Sequence, residues 1–154
     1  MSVDVQVECT IARPVDVVAA FAGDPSTAPY WYANITSVQW VTRPPLDVGS
    51  RMDFVARFLG RRLAYTYEVV ELDPGRLLVM RTADGPFPME TTYTWVARGE
   101  RETTMRLRNR GAPSGFSRVA APAVSQAMRR AMTKDLARLK HLLESPEGPG
   151  GAAP

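Results

Sequence analysis

The strongest pattern in the chain lies between Phe116 and Glu144, where apolar residues recur every three or four positions. At 100° per residue this spacing gathers them on one broad face of a helix. Counted from Pro122, such a helix would be about 34 Å long, so it needs a large apolar surface to cover. Its N-terminal half carries Ala, Val and Met on that face, and its C-terminal half carries Leu. Because small and adaptable side chains leave space, we predict that the N-terminal half closes an apolar cavity; close helix–sheet packing is the alternative.

Upstream of this helix, apolar and polar residues alternate with a period of two, which is typical of half-buried strands. The first strand is predicted at 3–12. Breaks rich in Gly and Pro separate six further strands, predicted at 35–43, 50–59, 62–72, 76–83, 89–98 and 102–110. A hairpin turn at Gly60 and the type II turn signature at 73–76 predict that the strands form an antiparallel meander.

Two short helices are predicted between the first and second strands, at 14–23 and 25–33. The second contains consecutive aromatic residues, Tyr30, Trp31 and Tyr32, of which at most two can face the core together. They either anchor the helix on the sheet or form an aromatic lip at a pocket mouth. In the long helix, Pro122 either opens the main helix after a separate turn at 116–121 or kinks it.

The order of elements, one strand, two short helices, six strands and one long helix, indicates an α+β sheet covered by that helix. This order, together with RPVDVVAAFAG, WYANITSVQW, YTYEVVELDPGRLLVMR and KDLARLKHLLES, resembles the polyketide cyclase/dehydrase and lipid-transport family of the START-like (SRPBCC, Bet v 1-like) superfamily. The resemblance covers residues 1–144. It implies a helix-grip fold, in which a curved seven-stranded antiparallel sheet wraps around the C-terminal helix and encloses a deep cavity. No short catalytic motif defines the superfamily, so the resemblance assigns no catalytic residue.

Length and composition bound the function classes further. The 154 residues suit one domain, predicted at 1–144 and followed by a disordered tail at 145–154. No apolar run approaches the ~20 residues of a membrane span, and no secretory signal opens the sequence, so we expect a soluble, cytoplasmic protein. One cysteine, Cys9, and one histidine, His141, provide neither an internal disulfide nor a Cys/His metal site. We therefore expect no metal and no cofactor.

Common catalytic motifs are missing from the sequence, and His141 falls on the polar side of the helix, so any catalysis would rest on Tyr, Arg, Asp or Glu. Asp135 falls at the centre of the apolar helix face, where a carboxylate requires a partner or a raised pKa. It either pairs with Arg138 or caps backbone N–H groups, or it points into the cavity to anchor or activate a polar ligand group. Of the arginines, Arg81 is the best candidate to point into the cavity. The alternative is that its side chain extends from the strand to the surface.

The candidate site residues follow from these faces. The candidates for catalysis are Asp135, Tyr65, Tyr67, Tyr93 and Arg81. The three tyrosines share the parity of apolar neighbours and either contact a ligand or are ordinary core residues. The predicted ligand-binding residues are Tyr30, Trp31, Met52, Phe54, Phe58, Tyr65, Tyr67, Phe87, Met89, Tyr93, Trp95, Met105, Val124, Ala127, Met128, Ala131 and Asp135.

Three functions are compatible with the sequence. The first is binding of a hydrophobic or amphipathic small molecule, such as a lipid, a polyketide or a related metabolite, in the cavity. The second is a polyketide cyclase or dehydratase acting on a poly-keto or aromatic precursor. The third is a co-chaperone-like or nucleic-acid interaction module using outward Arg106, Arg108 and Arg110. The formal charge of +3 is mild for a nucleic-acid-binding protein. The three arginines, here called the arginine ladder, are also explained by a solvated sheet face with cross-strand partners such as Glu90, so a nucleic-acid partner is not favoured. A homodimer remains open.

Overall fold

A computed structural model describes residues 3–112 and 121–146 of the chain. Seven strands form one curled antiparallel sheet in the order β1-β7-β6-β5-β4-β3-β2. Strands β2 to β7 pair in sequence order, as the predicted meander requires. The first strand, β1, pairs with the last, β7. The strands are β1 Val3–Ile11, β2 Ile35–Trp40, β3 Arg51–Phe58, β4 Arg61–Asp73, β5 Leu77–Asp84, β6 Met89–Ala97 and β7 Thr103–Gly111.

The connections between strands follow the local turn chemistry of the sequence. Leu59 and Gly60 join β3 to β4, and both have positive φ. At the type II signature, Gly75 has φ +83 and the Arg76 N–H donates to the Asp73 carbonyl at 2.9 Å. Positive φ at the third turn position is the conformation that glycine permits without steric cost. The predicted turns are therefore confirmed.

The short helices lie where the sequence predicts them, with one internal break. The helix α1 spans Val15–Ala22, a 3-10 turn spans Pro25–Thr27, and α2 spans Ala28–Trp31. The Asp24 carboxylate accepts a hydrogen bond from the Ser26 N–H at 2.9 Å and so caps the 3-10 turn. The single helix predicted at 25–33 is thus a 3-10 turn followed by one turn of α-helix.

The long helix α3 spans Ala121–Glu144 and runs alongside the edge strand β1. Pro122 is the second residue of α3 as described, in a turn that needs no N–H from that position; whether this proline opens the main helix or kinks it stays a prediction. The predicted turn at 116–121 falls, up to residue 120, outside the described residues. The tail beyond Pro146 also lies outside them, and the domain boundary at residue 144 stays a prediction.

Hydrogen bonds fix the C-terminal half of α3 to β1 and the segment that follows it. The Arg13 guanidinium donates to the Leu143 carbonyl at 2.9 Å, and the Ala12 N–H donates to the Glu144 carboxylate at 2.7 Å. The Lys140 ammonium donates to the Thr10 carbonyl at 2.7 Å. The bond from Arg13 satisfies a carbonyl at the end of α3 that has no partner within the helix.

The convex face of β1, β7 and β6 carries cross-strand ion pairs. The Arg106 side chain pairs with Glu8, and Arg108 pairs with Asp4 at 2.6 Å. Arg110 pairs with Glu90 at 2.9 Å, so the partner expected for the arginine ladder is present. Each of the three arginines therefore faces a carboxylate, and Glu90 is shared between Arg110 and Arg81.

Candidate functional site

A cavity lies between the sheet and the N-terminal half of α3. Its volume is about 130 Å³, which is far more than the ~10–15 Å³ that one water requires and less than the ~300–1,000 Å³ of drug-sized sites. A larger ligand therefore requires the wall to move. The predicted residues that line it are Phe54, Phe58, Tyr65, Tyr67, Phe87, Met89, Tyr93, Val124, Met128, Ala131 and Asp135.

Two tyrosine hydroxyls meet at the wall formed by α2 and β6. The Tyr32 and Tyr93 oxygens are 2.8 Å apart and share a hydrogen bond. The Trp31 ring packs on Tyr32 with a centroid separation of 4.2 Å, which holds the pair against the core. Burial is the main cause that raises the pKa of both tyrosines, so both stay protonated at neutral pH. The pair can therefore offer hydroxyl groups to a polar atom of a ligand.

Asp135 reaches the same cavity from α3. Its Oδ1 accepts a hydrogen bond from the Ala33 N–H at 3.0 Å, directly after α2, and the residue is 3% exposed. Burial raises the pKa of this carboxyl from 3.8 to about 6, against the opposing effects of the Ala33 N–H and the Arg138 charge. The carboxylate therefore engages a backbone N–H and also borders the cavity, and its role toward a ligand group stays a prediction.

A second polar group lies on the floor of the cavity. The Tyr67 hydroxyl is hydrogen-bonded to Thr91 at 2.7 Å, and Thr91 also donates to the side-chain oxygen of Asn109. Thr91 and Asn109 are direct neighbours in the pairing of β6 with β7. Burial raises the pKa of Tyr67 to about 12. The floor therefore carries a connected set of neutral polar groups within apolar walls.

Tyr65 stands between these groups. Its ring stacks on Phe54 with a centroid separation of 5.5 Å and meets the Tyr67 ring edge at 5.0 Å. Within residues 3–112 and 121–146, no side chain or backbone group is hydrogen-bonded to its hydroxyl. Because Tyr65 lines the cavity, that hydroxyl is available to a ligand.

Several predicted site residues lie elsewhere. Arg81 does not reach inside: its guanidinium pairs with Glu90 at 2.7 Å on the exposed face, since alternation along β5 places it opposite to Met80. Tyr30 is 64% exposed and points to solvent. The remaining ones do not line the cavity, because they pack in the core or beside it; they are Trp31, Met52, Trp95, Met105 and Ala127.

The structure adds cavity residues that the sequence interpretation did not include. The polar ones are Tyr32, Asn34, Arg57, Thr82, Thr91 and Asn109, and the apolar ones are Ile35, Ala56, Leu63, Met80, Pro86 and Met132. Several share parity with predicted lining residues, such as Thr91 with Met89 and Tyr93, so strand alternation already contains a signal for them. Tyr32 has no such signal, since its direction depends on the rotation of α2.

A second, wider groove of about 580 Å³ lies at the other end of the sheet, beside α1. Its walls consist mainly of proline, alanine and leucine side chains from α1, the β2–β3 loop and the β4–β5 turn, and Trp95 lies at its base. Its polar lining side chains include Asp16 and Asp24, and the Asp24 carboxylate is already engaged by the Ser26 N–H. We place the candidate site in the smaller cavity, where hydroxyl, carboxyl and amide groups lie within apolar walls.

Two other kinds of site were sought in the part of the chain that the structure describes. No group of three or more His, Cys, Asp or Glu side chains there is arranged to hold a metal ion. Among the described helices, none is both long and apolar enough to cross a membrane.

Comparisons with known proteins agree with this architecture. The family model described as "Polyketide cyclase / dehydrase and lipid transport" matches residues 2–144. No curated protein sequence matches the chain.

Solved structures resemble the chain over most of its length. A Thermus thermophilus protein is 20% identical with a TM-score of 0.78, covering 94% of this chain and 99% of that one. The Zhui aromatase/cyclase from Streptomyces is 16% identical with a TM-score of 0.76, covering 98% and 99%. A START superfamily protein from Mycobacterium smegmatis is 15% identical with a TM-score of 0.78, covering 92% and 97%. At these identities the likeness shows the fold alone.

Proposed function

Because the chain belongs to the polyketide cyclase / dehydrase and lipid transport family, we propose that it binds a hydrophobic or amphipathic small molecule between the sheet and α3. The predicted helix-grip fold is confirmed, and this fold indicates a ligand-binding domain of the START and polyketide cyclase type. The class of ligand, a lipid, a polyketide or a related metabolite, is part of the proposal.

The observation that carries the proposal is the composition of the cavity wall. Most of its side chains are apolar or aromatic, and the Tyr32–Tyr93 pair and Asp135 supply polar atoms at one side. Apolar walls stabilise a ligand by removing its surface from water, at about 25 cal/mol per Å². A few polar groups then fix its orientation, because a ligand that leaves them unpaired loses affinity. The expected ligand is an apolar ring or chain with at least one hydroxyl or carbonyl oxygen.

Binding of 2-naphthol and naphthalene tests this expectation, since the two probes differ by one hydroxyl. We expect 2-naphthol to bind about tenfold more tightly, the effect of one hydrogen bond in a buried site. Tyr93→Phe should remove most of that preference, whereas Tyr30→Phe, which changes an exposed tyrosine outside the cavity, should retain it. Equal affinity for the two probes in the unchanged protein, or equal effects of the two substitutions, would contradict the proposal.

Native mass spectrometry addresses the natural ligand. Protein purified gently from its own host should carry an excess mass that disappears on denaturation. A bare polypeptide mass would disfavour storage and transport and leave a weakly bound substrate as the alternative.

Enzymatic cyclisation or dehydration of a poly-keto precursor is the second candidate, and Asp135 favours it. A carboxyl whose pKa is about 6 can donate or accept a proton near neutral pH. If the cavity performs such chemistry, the rate should depend on pH with a midpoint near that value. Asp135→Asn should abolish that dependence while leaving the fold intact.

A further inference from the structure

We propose that the tip of the β3–β4 hairpin, residues 57–62, docks on an anionic lipid surface and holds the mouth of the cavity against it. The hairpin tip has an unusual charge pattern, an exposed leucine in a strained turn, and a position at the rim of the site. Docking of the hairpin tip does not require that the cavity bind a ligand. Only the transfer of a ligand between the lipid surface and the cavity rests on the proposed function.

The charge pattern is unfavourable for the isolated fold. Arg57 lies directly opposite Arg62 in the pairing of β3 with β4, and like charges in that position destabilise a sheet. No acidic residue occurs between positions 54 and 67 of the sequence. Within residues 3–112 and 121–146, neither arginine has a carboxylate partner. An anionic surface would relieve this repulsion.

The carboxylates nearest along the two strands are already engaged. Asp53 accepts a hydrogen bond from Thr66 at 2.6 Å, and Glu68 pairs with Arg51 at 2.7 Å. Arg57 and Arg62 therefore differ from the arginine ladder on β7, where every arginine faces a carboxylate. An anionic partner at the hairpin tip would relieve the repulsion between Arg57 and Arg62.

The turn at the end of the hairpin tip is also unfavourable on its own. Leu59 is 49% exposed and has φ +50, and Gly60 follows with φ +78. A two-residue turn with positive φ at both positions strongly favours Asn-Gly or Asp-Gly. Leucine at the first position exposes an apolar side chain and adopts a backbone conformation that L residues disfavour. An apolar environment for Leu59 would offset the first of these costs.

The position of the hairpin tip connects it with the site. Arg57 and Phe58 line the cavity, and Pro86 and Phe87 of the β5–β6 loop lie on the same rim. An apolar tip flanked by basic side chains is the arrangement that binds at the boundary between anionic headgroups and acyl chains. An acidic surface alone would pair with the arginines and leave Leu59 in water, whereas an anionic lipid surface supplies both headgroup charge and acyl chains, so the two observations together favour lipid.

Co-sedimentation of the full chain with vesicles tests the proposal at about 0.1 M salt, where charges within ~10 Å still interact. Vesicles of phosphatidylcholine alone should bind weakly, and vesicles that also contain phosphatidylglycerol should bind strongly. Arg62→Glu changes the charge by two units and should weaken this binding by about tenfold or more, at roughly 1 kcal/mol per charge. Leu59→Asn should weaken it about three- to tenfold through lost apolar burial.

The same two variants separate docking from a structural role. Leu59→Asn supplies the residue that the turn favours, and Arg62→Glu replaces a like-charge pair with an Arg57–Glu pair. Both variants should therefore unfold at the same temperature as the unchanged protein or higher, although they bind vesicles less. Their affinity for 2-naphthol should remain unchanged, so failure of docking and failure of ligand binding give different results.

Matched controls exist at the opposite end of the sheet. Val48 is 57% exposed and Arg43 is exposed, and both lie in the β2–β3 loop. Val48→Asn and Arg43→Glu should leave vesicle binding nearly unchanged. The proposal is overturned if the unchanged protein does not discriminate between the two vesicle types, or if the control variants lose as much binding as the hairpin variants.

Discussion

The two halves of α3 have the same amphipathic period but different surroundings. In the N-terminal half, Val124, Met128 and Ala131 border empty space. In the C-terminal half, Leu139 and Leu143 are fully buried against the sheet. The period therefore sets which face of a helix is covered, and the size of the side chains on that face distinguishes a closed core from a cavity wall.

The C-terminal half of α3 also makes more of the described hydrogen bonds to β1 and the segment after it than the N-terminal half does. Three hydrogen bonds from Arg13, Ala12 and Lys140 tie the C-terminal half to neighbouring segments. Among the described residues, the N-terminal half is held to β1 by one hydrogen bond, from the Arg129 guanidinium to the Gln6 carbonyl at 2.9 Å. The N-terminal half of α3 can therefore move away from the sheet and widen the cavity while the C-terminal half stays packed in the core. A ligand larger than about 130 Å³ requires such a movement.

Truncation in each half gives the largest expected contrast. Leu139→Ala should lower the free energy of unfolding by about 3 kcal/mol, because a fully buried leucine leaves a new cavity. Met128→Ala should cost less, about 1 kcal/mol, since Met128 already borders the cavity. Urea unfolding of the two variants measures the difference, and equal losses would show that the two halves are packed alike.

Removing the charge of Asp135 has the next largest effect. A raised carboxyl pKa means that the folded state holds the proton more tightly, so stability falls as pH rises from about 4 to about 6 and the loss is complete above that range. Asp135→Asn keeps an oxygen for the Ala33 N–H and should be more stable than the unchanged protein at pH 8, by on the order of 2 kcal/mol. The difference should vanish near pH 4. A gain that does not depend on pH would refute the assigned cause.

Filling the cavity from α3 has the smallest expected effect on stability and a specific effect on binding. Ala131→Leu places extra methyl groups in the space that a ligand would occupy, so 2-naphthol should bind at least about tenfold more weakly, while the unfolding free energy changes by less than about 1 kcal/mol. Ala137→Leu adds the same groups on the exposed face of α3 and should leave the affinity unchanged. Equal affinity of the two variants would locate the binding site elsewhere.

The fold could be predicted from the sequence because periodicity and turn residues act locally. Alternation in β6 placed Tyr93 inward, and Gly60 and Gly75 marked the turns that set the strand order. The position along each strand was harder to predict. Met52 and Met105 lie on the inner side of the sheet, yet they pack in the solid core, since alternation identifies a face and not the depth at which the cavity begins.

Residues outside regular patterns account for the remaining differences. Three aromatic residues follow one another at 30–32, so the sequence alone does not show which of them points inward. The rotation of α2 decides this, and in the structure Trp31 lies in the core and Tyr32 lines the cavity. Arg81 follows the apolar run 77–80, in which consecutive residues are buried although they point to opposite faces of the sheet. That run therefore does not show which face Arg81 occupies. Tertiary packing decides such positions.

The hydrogen bonds of Thr91 give the cavity a built-in polarity. A threonine hydroxyl has one proton, and Thr91 gives it to Asn109, so Tyr67 must donate to Thr91 and can only accept from a bound molecule. The Tyr32–Tyr93 bond can reverse its direction, and one of its two protons is always free. A ligand that donates a hydrogen bond to Tyr67 and accepts one from the Tyr32–Tyr93 pair would satisfy both places at once. The reversed orientation would satisfy neither so well.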